Sequence, residues 1–212
     1  MQWEQVIGKY KGQVITQSIL GDLLKDYKWP HNKVRDLENR GLLTGVKRGL
    51  YITGPLIKVA GPSSYLLANH IYGPSYVSLE AALSYWGMIP EKVTVIASMT
   101  TGLTKTFRTT AGRFSYIKVK LPYYSFGIRK VELSGTECVL MAGPEKAICD
   151  KIISSAGLLL RSVNQTLDLL IEDLRIERSV LRELDKAMIK TWVLQAPKKS
   201  SIKMLVKALE TI

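Results

Sequence analysis

The chain has 212 residues, 46% of them hydrophobic, and carries 30 lysines and arginines against 18 acids, a formal net charge of +12. That length fits one or two domains, and that apolar content supplies a packed core and excludes a disordered chain. Residues 1–60 and 61–135 each hold a surplus of five cations and residues 136–212 only two, so a field that attracts polyanions is expected from the first two thirds.

Trp3, Val6, Ile7 and Tyr10 form a helical stripe that ends at Lys11-Gly12. Thr16 is a good N-cap for a second helix over 17–24, with Ile19, Leu20, Leu23 and Leu24 on one face. After a turn at 26–30, Pro30 opens a third helix, because its missing N–H is unpaired at that position anyway. Val34 and Leu37 face inward in this helix, and Gly41 stops it. Short strands over 42–46 and 49–53 then flank Lys47 and Arg48, and Gly54-Pro55 and Gly61-Pro62 bracket a linker.

Beyond it, 63–72 reads as a helix capped by Ser63 or Ser64, and Ser78 caps another through Trp86, stopped by Gly87. Residues 92–99 read as a strand, 105–108 and 113–120 as a hairpin, and 128–133 and 137–141 as further strands. Gly143-Pro144 opens a helix over 145–156, with Glu145 well placed for the helix dipole. From residue 163 to the end the chain reads as helical. The fold class expected is α+β: a small N-terminal unit over 1–60, then a mixed domain over 61–212 with a small, mainly antiparallel sheet and a helical C-terminal segment.

Enzyme signatures are missing. There is no GxGxxG after a strand and no GxSxG elbow. Gly102-Leu103-Thr104-Lys105-Thr106 lacks the glycine that a phosphate loop needs directly before its lysine, and reads as a lead-in to a hairpin. His31 and His70 are the only near-neutral bases, and His70 sits in an apolar helix. Glu145 and Asp150 are five apart, so they do not stack on one helical face; a cap and a solvated acid are expected. Cys138 and Cys149 are too few for a zinc knuckle or a disulfide framework and are expected as buried thiols. No cofactor and no catalytic residue is expected. With no basic leader and no run of about 20 apolar residues, a cytoplasmic location without membrane contact is the expectation.

The informative stretch is Pro30-His31-Asn32-Lys33-Val34-Arg35-Asp36-Leu37-Glu38-Asn39-Arg40-Gly41 followed by Thr44-Gly45-Val46-Lys47-Arg48-Gly49-Leu50-Tyr51. A basic helix running into a hairpin with cations at its tip is the layout of a winged helix-turn-helix, with one helix for the major groove of double-stranded DNA and a wing for its backbone. His31, Asn32, Lys33, Asp36 and Asn39 are candidates for base edges, and Arg40, Lys47 and Arg48 for phosphates. The plain alternative is a helical unit that binds only protein.

With Arg48-Gly49-Leu50-Tyr51, the run from Gly73-Pro74-Ser75-Tyr76-Val77-Ser78-Leu79-Glu80 to Trp86-Gly87-Met88-Ile89-Pro90, and Ala142-Gly143-Pro144-Glu145-Lys146-Ala147-Ile148-Cys149-Asp150, the chain resembles the AbiEi antitoxins, the regulator half of bacterial AbiE abortive-infection toxin–antitoxin systems. The resemblance spans roughly residues 10–155. It implies a winged-helix autorepressor acting at operator inverted repeats, and a second domain that counteracts a partner nucleotidyltransferase toxin without a stable complex. Lys33, Arg35, Arg40, Lys47 and Arg48 would take the DNA-binding role. Two other readings stay open: a winged-helix transcription factor whose second domain senses a ligand or oligomerises, and a nucleic-acid enzyme whose catalytic residues escape motif search.

Overall fold

In the computed structural model, which describes residues 2–135 and 137–212, helices and strands fall close to their sequence signals. Helix α1 (Trp3–Gly8) leads to strand β1 (Ile15–Thr16), and Thr16 accepts a hydrogen bond from the Ile19 N–H at 3.4 Å to cap α2 (Gln17–Leu23). Helix α3 (Pro30–Asn39) begins at its proline and gives way at Gly41, whose φ of 68° suits the glycine there. Strands β2 (Leu43–Lys47) and β3 (Leu50–Thr53) form the expected hairpin. Strand β1 has no counterpart among the expected elements; it pairs antiparallel with β3 and closes a three-stranded sheet in the order β1-β3-β2. Two residues are too few to show a period.

Helix α4 (Ser64–Ile71) is capped by Ser63, whose Oγ accepts from the Leu66 N–H at 3.1 Å. Then follow β4 (Ser75–Val77), α5 (Leu79–Tyr85), β5 (Val95–Thr100), β6 (Lys105–Thr109), β7 (Gly112–Lys118), β8 (Ile128–Ser134) and β9 (Glu137–Ala142). The C-terminal part holds α6 (Pro144–Ser154), α7 (Val163–Asp168), continued as a π-helical turn over Leu169–Asp173, then α8 (Arg178–Arg182), α9 (Lys186–Trp192) and α10 (Lys199–Glu210).

The fold class is α+β, as expected, and three of the five strand pairs of the larger sheet are antiparallel, but that sheet is not small. Six strands run in the order β6-β7-β5-β4-β9-β8, and two of the five neighbouring pairs, β5 with β7 and β4 with β9, are parallel. Strand β4 is fully buried and shows no alternation to read; it pairs antiparallel with β5 and parallel with β9.

Two apolar clusters organise the molecule. Trp3, Ile7, Ile15, Leu20, Leu24, Val34, Leu37, Leu42 and Leu43 fill the N-terminal unit. The larger cluster covers the six-stranded sheet and the C-terminal helices, and it also takes in Val14, Val46 and Leu50. The hairpin β2–β3 therefore lies between two cores: Leu43 and Tyr51 face the N-terminal one, Val46 and Leu50 the other.

Candidate nucleic-acid interface

Helix α3 buries Val34 and Leu37 and turns its polar residues outward. His31, Asn32, Arg35, Asn39 and Arg40 are all exposed. Lys33 is not free in the same way. Its side chain is 18% exposed, its ammonium meets Asp36 at 2.5 Å, and it lies 5.5 Å from the centre of the Trp3 ring and 6.0 Å from that of Tyr27. Arg40 also leans on Asp36, at 3.7 Å. The Lys33 ammonium bonded to Asp36 holds that carboxyl below its ordinary value. Of the three cations over 33–40, Lys33 and Arg40 are thus partly neutralised by Asp36, and Arg35 carries no ion-pair partner among the described residues.

The Lys47 side of the hairpin tip is exposed. Lys47, expected at phosphates, donates from Nζ to the carbonyl of Ile71 at 2.8 Å and stands 5.2 Å from the centre of the Phe107 ring. Ile71 ends α4, so the lysine serves the carbonyl-rich end of that helix, where a cation is favoured. Thr110 adds a second tie, its hydroxyl donating to the Gly45 carbonyl at 3.0 Å. Arg48 is exposed too, and unlike Lys47 it has no partner among the described residues. Gly49 beside it has a φ of 78°, a turn conformation that other residues rarely adopt.

The segments at 73–90 and 142–150 meet at Asp150. This acid is not solvated as expected: it and Lys146 are both fully buried, 3.3 Å apart. Tyr76 and Ser78 donate hydroxyl hydrogens to its Oδ2 at 3.0 and 2.7 Å, and Tyr123 to Oδ1 at 3.0 Å. Lys146 also donates to the Tyr123 carbonyl at 2.8 Å and sits 3.2 Å from the centre of the Tyr123 ring. Ser78 therefore does not cap α5 through its side chain; its hydroxyl is spent on Asp150. Leu79, next in the chain, has a φ of 54°, unusual for a leucine. Burial pushes the Asp150 carboxyl up and the Lys146 ammonium down, each offset by the other's charge. Glu145 is tied as well, accepting from Arg129 at 3.2 Å and from the Asp185 N–H at 3.2 Å. Trp86 donates its indole N–H to the Ala142 carbonyl at 2.8 Å. With Asp150 closed off from solvent, this network is arranged to fasten sheet to helix.

Cys149 is buried as expected, but Cys138 is exposed, since strand alternation turns it outward from buried Val139. Among the described residues, no three His, Cys, Asp or Glu side chains gather as metal ligands, and no helix is long and apolar enough to cross a membrane. A hollow of about 500 Å³ lies over β5 and β7, with Val95, Ala97, Ser115 and Ile117 as floor and the Glu80–Lys151 ion pair at its side.

No family model and no curated protein matches the sequence. Among solved structures, the fold is similar to that of the RV2827C protein from Mycobacterium tuberculosis, with a TM-score of 0.66 at 14% identity over 99% of this chain and 78% of that one. At that identity the likeness concerns the fold alone.

Proposed function

We propose that residues 2–60 form a winged helix-turn-helix that binds double-stranded DNA, and that the protein is an autorepressor and antitoxin of the AbiEi kind, opposing a nucleotidyltransferase toxin without a stable complex. The observation that carries the DNA-binding half is the pairing of α3, which turns His31, Asn32, Arg35, Asn39 and Arg40 to solvent, with a hairpin whose tip presents Arg48. Such an arrangement supplies one element for base edges and one for the backbone. The antitoxin half rests on the resemblance at 73–90 and 142–150, and the reading assigns no reaction to the chain.

The test is a shift assay over a salt series on DNA from upstream of the gene, joined to co-expression with the nucleotidyltransferase encoded beside it. Arg35→Ala with Arg48→Ala should flatten the log–log salt dependence by about two units, about 0.9 for each phosphate that is no longer neutralised. Unchanged affinity and slope would count against the DNA-binding half, and toxicity undiminished by the full chain against the antitoxin half.

A second reading, a transcription factor with a ligand-sensing second domain, is favoured by the hollow of about 500 Å³ over β5 and β7, a size that suits a small molecule. The absence of any neighbouring nucleotidyltransferase gene would move weight to it.

A further inference from the structure

Of the four tryptophans, Trp3 and Trp192 are each 5% exposed and Trp86 is partly covered, whereas Trp29 is 58% exposed. It stands immediately before Pro30 at the entry to α3, where its side chain makes no capping bond. Pro30 already sets the start of the helix, so local structure gives no reason for a large ring in water. Tyr27 beside it is also exposed, and is braced by Trp3 at 5.9 Å between ring centres. Tyr27, Lys28, Trp29, Asn32, Lys33 and Asp36 line a shallow hollow of about 380 Å³.

The lining selects among partners. A cationic guest is disfavoured because the protein's own lysines attend the rings: Lys28 lies 5.8 Å from the centre of the Trp29 ring and Lys33 6.0 Å from that of Tyr27. A purely apolar guest would cover Lys33, Asp36 and Asn32 without replacing their contacts with water. A flat heteroaromatic ring attached to an anion engages three of the lining residues at once, while Lys33 keeps Asp36 partly neutralised. Its face stacks on Trp29, its edge meets the Asn32 amide, which both donates and accepts, and its phosphate meets Lys28.

We propose that the hollow at the N-terminal end of α3 binds an unstacked nucleobase of single-stranded nucleic acid, with Trp29 as the stacking platform and Asn32 at the base edge. In a regular duplex both faces of each base are occupied by neighbours, so the hollow addresses an unpaired stretch or a frayed end, a mode distinct from groove reading by Arg35 and Arg48. The inference shares with the proposed function the premise that this unit meets nucleic acid, and one residue, Asn32.

The experiment measures binding of the full chain to a short mixed-sequence single-stranded DNA and to the duplex of the same sequence, by anisotropy of a labelled strand, together with quenching of tryptophan emission. Trp29→Ala should weaken single-strand binding about 10- to 100-fold and abolish the quenching, while Trp29→Tyr retains most of the affinity and duplex affinity stays within about twofold. An unchanged unfolding midpoint identifies Trp29→Ala as a folded variant, and Lys28→Ala, a residue of the hollow outside the duplex-reading set, provides a second, independent loss. Duplex binding with no single-strand binding, or equal losses on both probes, overturns this proposal and leaves the proposed function standing. Trp29-dependent single-strand binding without any duplex binding supports it and removes the proposed function's DNA-binding half.

Discussion

Asp150 and Lys146 set the balance of forces at the level of single residues. An aspartate and a lysine with no exposed side-chain surface each lose hydration, and their mutual attraction is useful only because three hydroxyls and a carbonyl complete the shell. Removing one partner is therefore worse than never having had the pair. Lys146→Met should lower stability by about 3–5 kcal/mol at neutral pH, measured by urea denaturation. The loss should shrink on acidification. Asp150 has its carboxyl raised by burial, so between its ordinary and its raised value the native state binds more protons than the unfolded chain, and stability falls as pH rises through that window. Without the Lys146 charge the window widens, and the variant should fall further behind with rising pH. A deficit independent of pH would mean that Asp150 is not the titrating group. The sequence showed Glu145, Lys146 and Asp150 on one short helix but not that they are buried, because their partners Tyr76 and Ser78 lie 74 and 72 residues away along the chain.

For the elements, α3 is the instructive case. Its start at Pro30, its stop at Gly41 and its inward Val34 and Leu37 were all legible, since each depends on residues within about one turn. Its charge was legible only as a sum. The fold leaves Lys33 and Arg40 on Asp36, so the helix offers the solvent less free cation than its composition suggests. On the DNA-binding reading, Asp36 is a brake. Asp36→Asn should tighten duplex binding and steepen the salt dependence by about one unit as a released cation reaches a phosphate. A salt series on the variant checks this, and an unchanged slope would show that the released cations face away from the DNA.

Across the whole molecule, the hairpin β2–β3 couples the N-terminal unit to the rest. Val46 and Leu50 sit in the larger core, and Lys47 and Thr110 add polar ties across the same boundary. The linker at 54–62 is real as irregular chain, yet the two parts are not joined by it alone. Lys47→Ala combined with Thr110→Val should loosen this junction and speed amide exchange in 43–53, with little change in the exchange of β5 and β7. Uniform acceleration throughout the chain would instead mark a global loss of stability.

What the sequence by itself determined is the set of local elements: the caps at Thr16 and Ser63, the glycine stops, the hairpins, and a surplus of positive charge in the first two thirds. Only the tertiary structure decided which of those charges remain at large and which are consumed. It carried Lys47 to the end of α4, placed three-residue β4 at the centre of a sheet, and closed the 73–90 and 142–150 segments around one buried carboxylate. The reason is range. Turns and caps are settled by neighbours a few residues apart, whereas the destination of a lysine or a buried acid is settled by strand order, which brings distant residues together and which no local pattern encodes.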